Sequence, residues 1–476
     1  VTTDAPATAT PSPEPVQFTW KGQVLSKSQV GNIFFFGSLL LLGIGVSLNW
    51  VLTEGRWWVP SAGPQQYVQF HPYDLTSSVV LGLSLVLLGA GFIGTTAERR
   101  SLRKALMVSA WLACLCAIGG GLAWLDVVPT LTNLRVAMTS VAVAVVAITA
   151  MIAIAYRWNA QPAHVVRAFG FVLFGFYWAT QAMKLYASEN GDFVNAIFAM
   201  FAVFFFNYFA YHELVSYKRN EDPRALQWLA GTAFITTGVY FLTHKIEPVA
   251  TWLILTVAEQ TTWLLHAFGQ PVVRCGGSPD GSMIYYPSSE LGCLGGGWFP
   301  IQIILACTAI QSIMIFVGGI FALKPPRMGD GVSGKPTRFE KLAGTYGRRR
   351  LWGLLLTIPL IYVLNLFRNV IIIWMSGQQT PILFASHDTA FWFSHNVIGK
   401  GGSLVALVVI AFIVFQILPE LYDSIIGLLD LKQRKGPLEQ WLGDKFGRRP
   451  GGRLKETAPA PSAPVKAPPP AEPQLE

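Results

Sequence analysis

A chain of 476 residues is long enough for two or three soluble domains, yet only 13% of it is charged while 52% is apolar. A soluble surface draws on about a quarter of its residues being Asp, Glu, Lys or Arg, so a soluble multidomain protein is excluded and a mean hydropathy of +0.44 points to a polytopic membrane protein. The net charge of +9 is no nucleic-acid footprint, because Lys and Arg gather in short loops between long apolar runs.

Residues 1–29 are rich in Pro, Thr and Ala and hold no apolar run, the composition of a disordered cytoplasmic leader. The first apolar run, Val30 to Leu52, has 23 residues without a charge. That is too long for the core of a cleavable signal peptide and long enough to cross a bilayer interior of about 30 Å as a helix. Nine more runs follow at 75–97, 105–125, 136–156, 168–187, 193–213, 225–244, 300–323, 351–376 and 396–418. Ten spans with a cytoplasmic N-terminus place 28 of the 35 Lys and Arg residues in the inner segments, while the outer connections hold few, among them Arg56, Lys245 and Arg274. The positive-inside rule then puts both termini in the cytoplasm. The expected fold is an all-α polytopic membrane protein of about ten transmembrane helices, with a seven-helix region at 30–244, a second membrane region at 300–421 and a basic, Pro-rich cytoplasmic tail at 422–476.

Between the two membrane regions, residues 245–299 carry a different pattern. The stretch Val249 to Gly269 is long enough to span but has Glu259, Gln260, Thr261 and Thr262 at its middle. Counting it as a span would turn Arg99, Arg100, Arg103 and Lys104 outward, so an amphipathic helix on the outer membrane face is expected instead. The Gly-rich outer loop that follows holds Cys275 and Cys293, which either form a disulfide or stay as two unpaired thiols; no CxxC spacing marks a zinc site. Cys114 and Cys116 lie in an apolar run, where Cys packs as a small hydrophobe.

Strongly polar groups inside spans are expensive, so each needs a reason. Three of them converge in depth: Cys307 in PIQIILACTAIQSIMIFVGG, Arg368 in YVLNLFRNVIIIWM and His395 in FWFSHNVIGKGGSL. If its span starts at Pro300, Cys307 lies roughly 10 Å below the outer end. Arg368 stands 17 residues past Leu351, so about 26 Å up from the inner end, and its long side chain can reach the same layer. Asn365, Arg368 and Asn369 form one polar stripe at i, i+3 and i+4, and Gln311 is expected one turn deeper on the face of Cys307. A thiol whose anion a cation favours is a nucleophile, an imidazole takes and returns its proton, and a guanidinium steadies an oxyanion. His387 is a rival base that spacing alone does not exclude. Other chemistries leave no fingerprint: His212-Glu213 is not completed to HExxH, GxSxG is absent, and the MGDG at 328–331 lies in a basic loop.

The ACT segment at Cys307, LNLFRN at Arg368, and SHNVIGKGGSL with the downstream LPEL at 418–421 resemble the exosortase and archaeosortase family of membrane cysteine transpeptidases over about 120 residues, 300–421. The resemblance implies a thiol protease or transpeptidase with a Cys, Arg and third-position triad carried by Cys307, Arg368 and His395. It implies no metal or organic cofactor. It further implies secreted precursor proteins as partners, recognised by a C-terminal signal of a short PGF-like motif, a transmembrane helix and a basic tail, with a membrane lipid as acceptor. Asn365 and Asn369 are expected to orient Arg368 from the second layer. A transporter with Arg368 and Lys184 along an anion path is the rival from another class, though no internal repeat supports it. A lipid-carrier transferase would need acidic groups that the outer loops offer only sparsely.

The orientation is open to measurement. A Cys placed near Gly281 should be labelled by a membrane-impermeant thiol reagent in intact cells, and one placed near Gly334 should not; the reverse pattern would invert the topology.

Overall fold

The computed structural model describes residues 16–53, 57–60, 67–70, 72–124, 132–186, 193–276, 280–287, 297–325, 345–378, 386–434 and 436–446. The first part of the expected leader, Cys293, the MGDG segment and the Pro-rich end of the tail lie outside them. The chain forms two compact units, Val1–Gly31 with Lys435–Glu476, and Asn32–Arg434.

The smaller unit corrects part of the leader assignment. Thr19–Trp20 (β1) and Gln23–Val24 (β2) pair as an antiparallel hairpin, turned at Lys21 and Gly22, both in the left-handed region. Helix α1 starts at Lys27, ahead of the apolar run, and ends at Thr53. Its first turn shares the unit with the helix Pro437–Phe446: Lys27 pairs with Asp444 at 2.6 Å, and the Trp441 ring lies against Gly31.

The larger unit is built of long apolar helices, since a backbone inside a bilayer must satisfy its own hydrogen bonds. After α1 come α2 (Pro72–Thr96), α3 (Arg99–Trp124), α4 (Thr132–Arg157), α5 (Ala163–Tyr186), α6 (Phe193–Arg219) and α7 (Arg224–Lys245). They continue with α8 (Glu247–Ala267), α9 (Ile310–Ala322), α10 (Tyr346–Gln378), α11 (His387–Phe393), α12 (Lys400–Ile417) and α13 (Pro419–Leu429). Among the described residues eight helices are long and apolar enough to cross a membrane, with two shorter apolar ones at Val141–Arg157 and Ile310–Ala322. The protein is thus an all-α polytopic membrane protein with little sheet. Large apolar side chains on α3 and α12, such as Trp111, Leu115, Leu404 and Phe412, stay exposed, as lipid-facing positions do.

Two expectations change. The run at 300–323 is not one helix, because strand β7 and a tight turn occupy its first half and α9 begins only at Ile310. The stretch between α8 and α9 contains an antiparallel sheet of β5 (Val273–Cys275), β6 (Met283–Pro287) and β7 (Gly297–Gln302), in that order. A further hairpin joins Trp57–Pro60 (β3) to Tyr67–Phe70 (β4). The sheet docks where Gly377 of α10, lacking a Cβ, admits the ring of Tyr286. Burial pushes that phenol up to about 12.

The C-terminal ends of α2 and α6 and the N-terminal end of α5 meet in one layer. There the fully buried Arg167 of α5 grips Glu213 of α6 with two bonds, Nε to Oε1 at 2.6 Å and NH2 to Oε2 at 2.8 Å. It also donates to Thr95 Oγ1 and the Gly91 carbonyl of α2. His164 Nδ1 completes the cluster at 2.6 Å from Glu213. The HE pair at 212–213, set aside above as an incomplete metal motif, therefore supplies the counter-ion of a structural charge. In the same layer Arg349 of α10 pairs with Glu420 of α13 at 2.6 Å.

Breaking a buried pair from one side strands the other charge. Glu213→Gln should destabilise the detergent-solubilised protein by about 3–5 kcal/mol, read as a large drop in thermal unfolding midpoint; a parent-like midpoint would show the pair to be dispensable.

Candidate active site

The opposite layer holds the candidate residues. Strand β7 leaves the sheet with Ile303 N–H donating to the Ser282 carbonyl at 2.9 Å. A single 3-10 turn, Leu305–Cys307, follows, closed by Cys307 N–H to the Ile304 carbonyl at 2.8 Å. Thr308 Oγ1 caps it on the Leu305 carbonyl at 2.7 Å, and Ala309 then adopts φ 64° and ψ −5° before α9 begins. A non-glycine residue in that left-handed region costs of order 1–3 kcal/mol and persists only where its surroundings over-determine it. Cys307 therefore stands on a turn two residues before the helix N-cap, not inside a helix as its spacing suggested. Hydropathy reports only that the residues of this stretch are apolar, and an apolar turn reads the same as an apolar helix.

Helix α10 supplies what holds the turn. Asn365 Nδ2 donates to the Cys307 carbonyl at 2.6 Å and Asn369 Nδ2 donates to the same oxygen at 3.0 Å. Both Asn residues are buried, at 8% and 3% exposure. Arg368 lies between them on the same helical stripe; its NH1 reaches Asn365 Oδ1 only at 3.4 Å, and its buried Nε has no hydrogen-bond partner among the described residues. The guanidinium lies within electrostatic range of the Cys307 thiol. The two Asn amides thus serve chiefly the Cys307 backbone.

The segment Ser394–Gly399 is wound as a π-helix, the wider turn often found at functional sites. Gly399 closes it against Arg368: a Cβ there would stand 3.2 Å from the Arg368 Nε, 3.0 Å from Ile372 Cδ1 and 3.1 Å from the Ser394 carbonyl. The His395 ring stacks on Phe391, centroids 5.3 Å apart. Phe391 packs on the same apolar cluster as Cys307, built from α8, the sheet and α10 through Val257, Ile284 and Val370. His387, the rival base, heads α11 and its Nδ1 donates to the Ser376 carbonyl at 2.6 Å.

Gln311 does not share a helical face with Cys307, since α9 starts between them; it donates to the Tyr240 hydroxyl of α7 at 2.9 Å. The polar middle of α8 is explained by Tyr362 of α10, whose hydroxyl donates to Gln260 Oε1 at 2.7 Å. Trp252, Glu259 and Trp263 point outward from α8. Gly399, with Ser403 one of the small residues that follow His395 at i+4 and i+8, does allow a close approach, whereas sequence reasoning missed Tyr240, which no motif marks. Cys275 is disulfide-bonded; Cys293, its expected partner, lies outside the described residues, while Cys114, Cys116 and Cys307 are free thiols. Among the described residues no group of three or more His, Cys, Asp or Glu stands together as a metal-binding cluster.

Fold and site together define a multi-pass membrane protein with a free thiol held beside an intramembrane arginine. No protein-family model matches the chain, and no solved structure does. Comparison with curated proteins finds archaeosortase A of Haloferax volcanii, 28% identical over 230 residues, covering 44% of this chain and 68% of that protein. Archaeosortase A of Natronomonas pharaonis is 26% identical over 309 residues, covering 61% of this chain and 87% of that one. Both relatives support the resemblance of this chain to the exosortase and archaeosortase family.

Removing the clamp tests the geometry without reference to activity. Asn365→Leu together with Asn369→Leu leaves a buried carbonyl unpaired, at a cost of roughly 1–3 kcal/mol. The expected outcome is a lowered unfolding midpoint and slower alkylation of Cys307 than in the parent, because a turn released from α10 no longer holds the thiol against Arg368; a parent-like rate would mean that the turn holds itself.

Proposed function

We propose that this protein is a membrane thiol protease and transpeptidase that cleaves the C-terminal sorting signal of secreted surface proteins and joins them to a membrane lipid. One observation carries the reading: the backbone of a free Cys is clamped by two Asn amides from the helix whose Arg368 flanks the thiol and keeps an unpartnered Nε. The names of the two archaeosortase A relatives support it.

The Cys307 thiolate attacks the scissile carbonyl, forming a C–S bond and a tetrahedral oxyanion. Arg368 favours the thiolate first and the oxyanion next, charge following charge in a site of low dielectric. Collapse breaks the C–N bond, and His395, having taken the thiol proton, returns it to the leaving amine. The acyl thioester is then opened by a nucleophile of the lipid headgroup, with His395 accepting that proton and the thiolate released; water in that role gives hydrolysis. The active site faces outside and both termini are cytoplasmic, an orientation supported by the basic residues of the inner connections. The catalytic region is 300–421, and the signal bears a PGF-like motif, a transmembrane helix and a basic tail.

The test is the gel shift of a tagged precursor bearing such a signal, in a deletion strain complemented with each variant at checked expression. Cys307→Ala should abolish processing, and Cys307→Ser should come close, because a hydroxyl is far harder to deprotonate. His395→Ala should slow turnover by about 10²–10⁴-fold. Arg368→Lys should lose about 10²–10³-fold, since a point charge cannot copy the planar fork of donors. His387→Ala should be tolerated. Processing by Cys307→Ala would return the transporter reading to first place; loss with His387→Ala but not His395→Ala would move the base.

A further inference from the structure

Helix α7 lies before the segment 300–421 that carries the family motifs, yet polar contacts tie it to α9 along the whole length of that short helix. Gln311 donates to the Tyr240 hydroxyl at 2.9 Å. Thr236 Oγ1 donates to the Met314 carbonyl at 2.9 Å, and Trp228 Nε1 to the Gly319 carbonyl at 2.8 Å. Just past the end of α9, Lys324 donates to Gln227 Oε1 and, at 3.4 Å, to the Thr95 carbonyl. Each step down α7 matches a step along α9, so the four contacts define one antiparallel register. Gly318 makes the approach possible: a Cβ there would collide with Thr236 Oγ1 and stand 3.0 Å from the Thr232 carbonyl and the Thr236 nitrogen.

The register matters because α9 has 13 residues, a rise of about 20 Å against a bilayer interior of about 30 Å. A full-length span finds its depth from its two interfaces, whereas a helix this short takes its depth from its neighbours. Cys307 stands two residues before the N-cap of α9 and so inherits that depth. On the other side the Cys307 carbonyl is fixed to α10 by Asn365 and Asn369. The thiol meets Arg368 in register only if both attachments agree.

We infer that α7 belongs to the catalytic unit, with Thr236, Trp228 and Tyr240 as positioning residues that set the depth of the Cys307 thiol against Arg368. The consequence for turnover rests on the thiol-peptidase reading; the geometric claim stands apart from it, and so does its first test.

That test uses the full-length protein in phosphatidylcholine vesicles, with Cys114 and Cys116 replaced by Ala and alkylation of Cys307 by N-ethylmaleimide followed by peptide mass. Thr236→Val, which keeps the shape and removes the donor, and Tyr240→Phe should each slow alkylation by about three- to tenfold, the equivalent of one hydrogen bond. Thr236→Ser retains the donor and should restore the parent rate. Tyr240→Phe combined with Gln311→Leu should be no worse than either alone, because both remove one contact. Thr149→Val removes a comparable bond to the Ser109 carbonyl, 3.1 Å long, between α4 and α3, and should change nothing. Parent-like rates for Thr236→Val and Tyr240→Phe, or an equal loss for Thr149→Val, would overturn the inference. In the precursor assay the same variants should lower kcat and leave KM unchanged. If Cys307→Ala still processed the precursor, the enzymatic reading would fall while the alkylation rates still decided the positioning.

Discussion

The carbonyl oxygen of Cys307 accepts two side-chain amides, from Asn365 at 2.6 Å and Asn369 at 3.0 Å, and the geometry of the site hangs on that contact. Where the chain leaves β7 and has not yet entered α9, its backbone groups lack the partners of a ladder, and in a dry environment an unpaired carbonyl is costly. The left-handed Ala309 adds strain at the same point. The two amides offset both costs, and because they come from one face of α10 they bring Arg368, which lies between them, to the thiol. Backbone repair and assembly of the site are one event.

Two arginines of the larger unit, the fully buried Arg167 and the half-buried Arg368, show how partners separate a structural charge from a candidate functional one. Arg167 spends its donors on Glu213, Thr95 and Gly91 and has no exposed surface. It joins α2, α5 and α6 and has nothing left for a substrate. Arg368 has one long contact to Asn365 and an unpartnered Nε, close to Cys307 and held by Gly399. A guanidinium left under-coordinated in an apolar layer keeps donor capacity that Arg167 has already spent.

These layers also divide labour along the bilayer normal. At one end the clustered charges Arg167–Glu213 and Arg349–Glu420 lock helix ends together. At the other, hydrogen bonds from neutral amides and hydroxyls hold a turn, a sheet and a π-helix, all irregular backbone of the kind that a membrane tolerates only when protein covers it. Helix α8 provides part of that cover: Val257, Ala258 and Leu265 pack in the cluster that Cys307 adjoins, while Trp252 and Trp263 stay exposed as interfacial aromatics do.

Much of this was legible in the residues alone. Apolar run length sets where helices can span, charge placement separates one set of loops from the other, and a stripe at Asn365, Arg368 and Asn369 announces a polar helix face, because each of these is a local property of the chain. What stands opposite a face is not local. That the Asn amides take the Cys307 carbonyl, that α9 starts at Ile310 because a turn intervenes, that Gln311 turns to Tyr240 and that Glu213 neutralises Arg167 were all decided by contacts between residues tens of positions apart. Hydropathy treats a buried strand, a buried turn and a buried helix alike, so the sheet ahead of Cys307 was read as the start of a span. The sequence by itself determined which residue types enter the membrane and which of them need a partner; the tertiary structure alone chose the partners, since hydrogen bonding depends on distance and direction in space, and neither is written in the spacing of one chain.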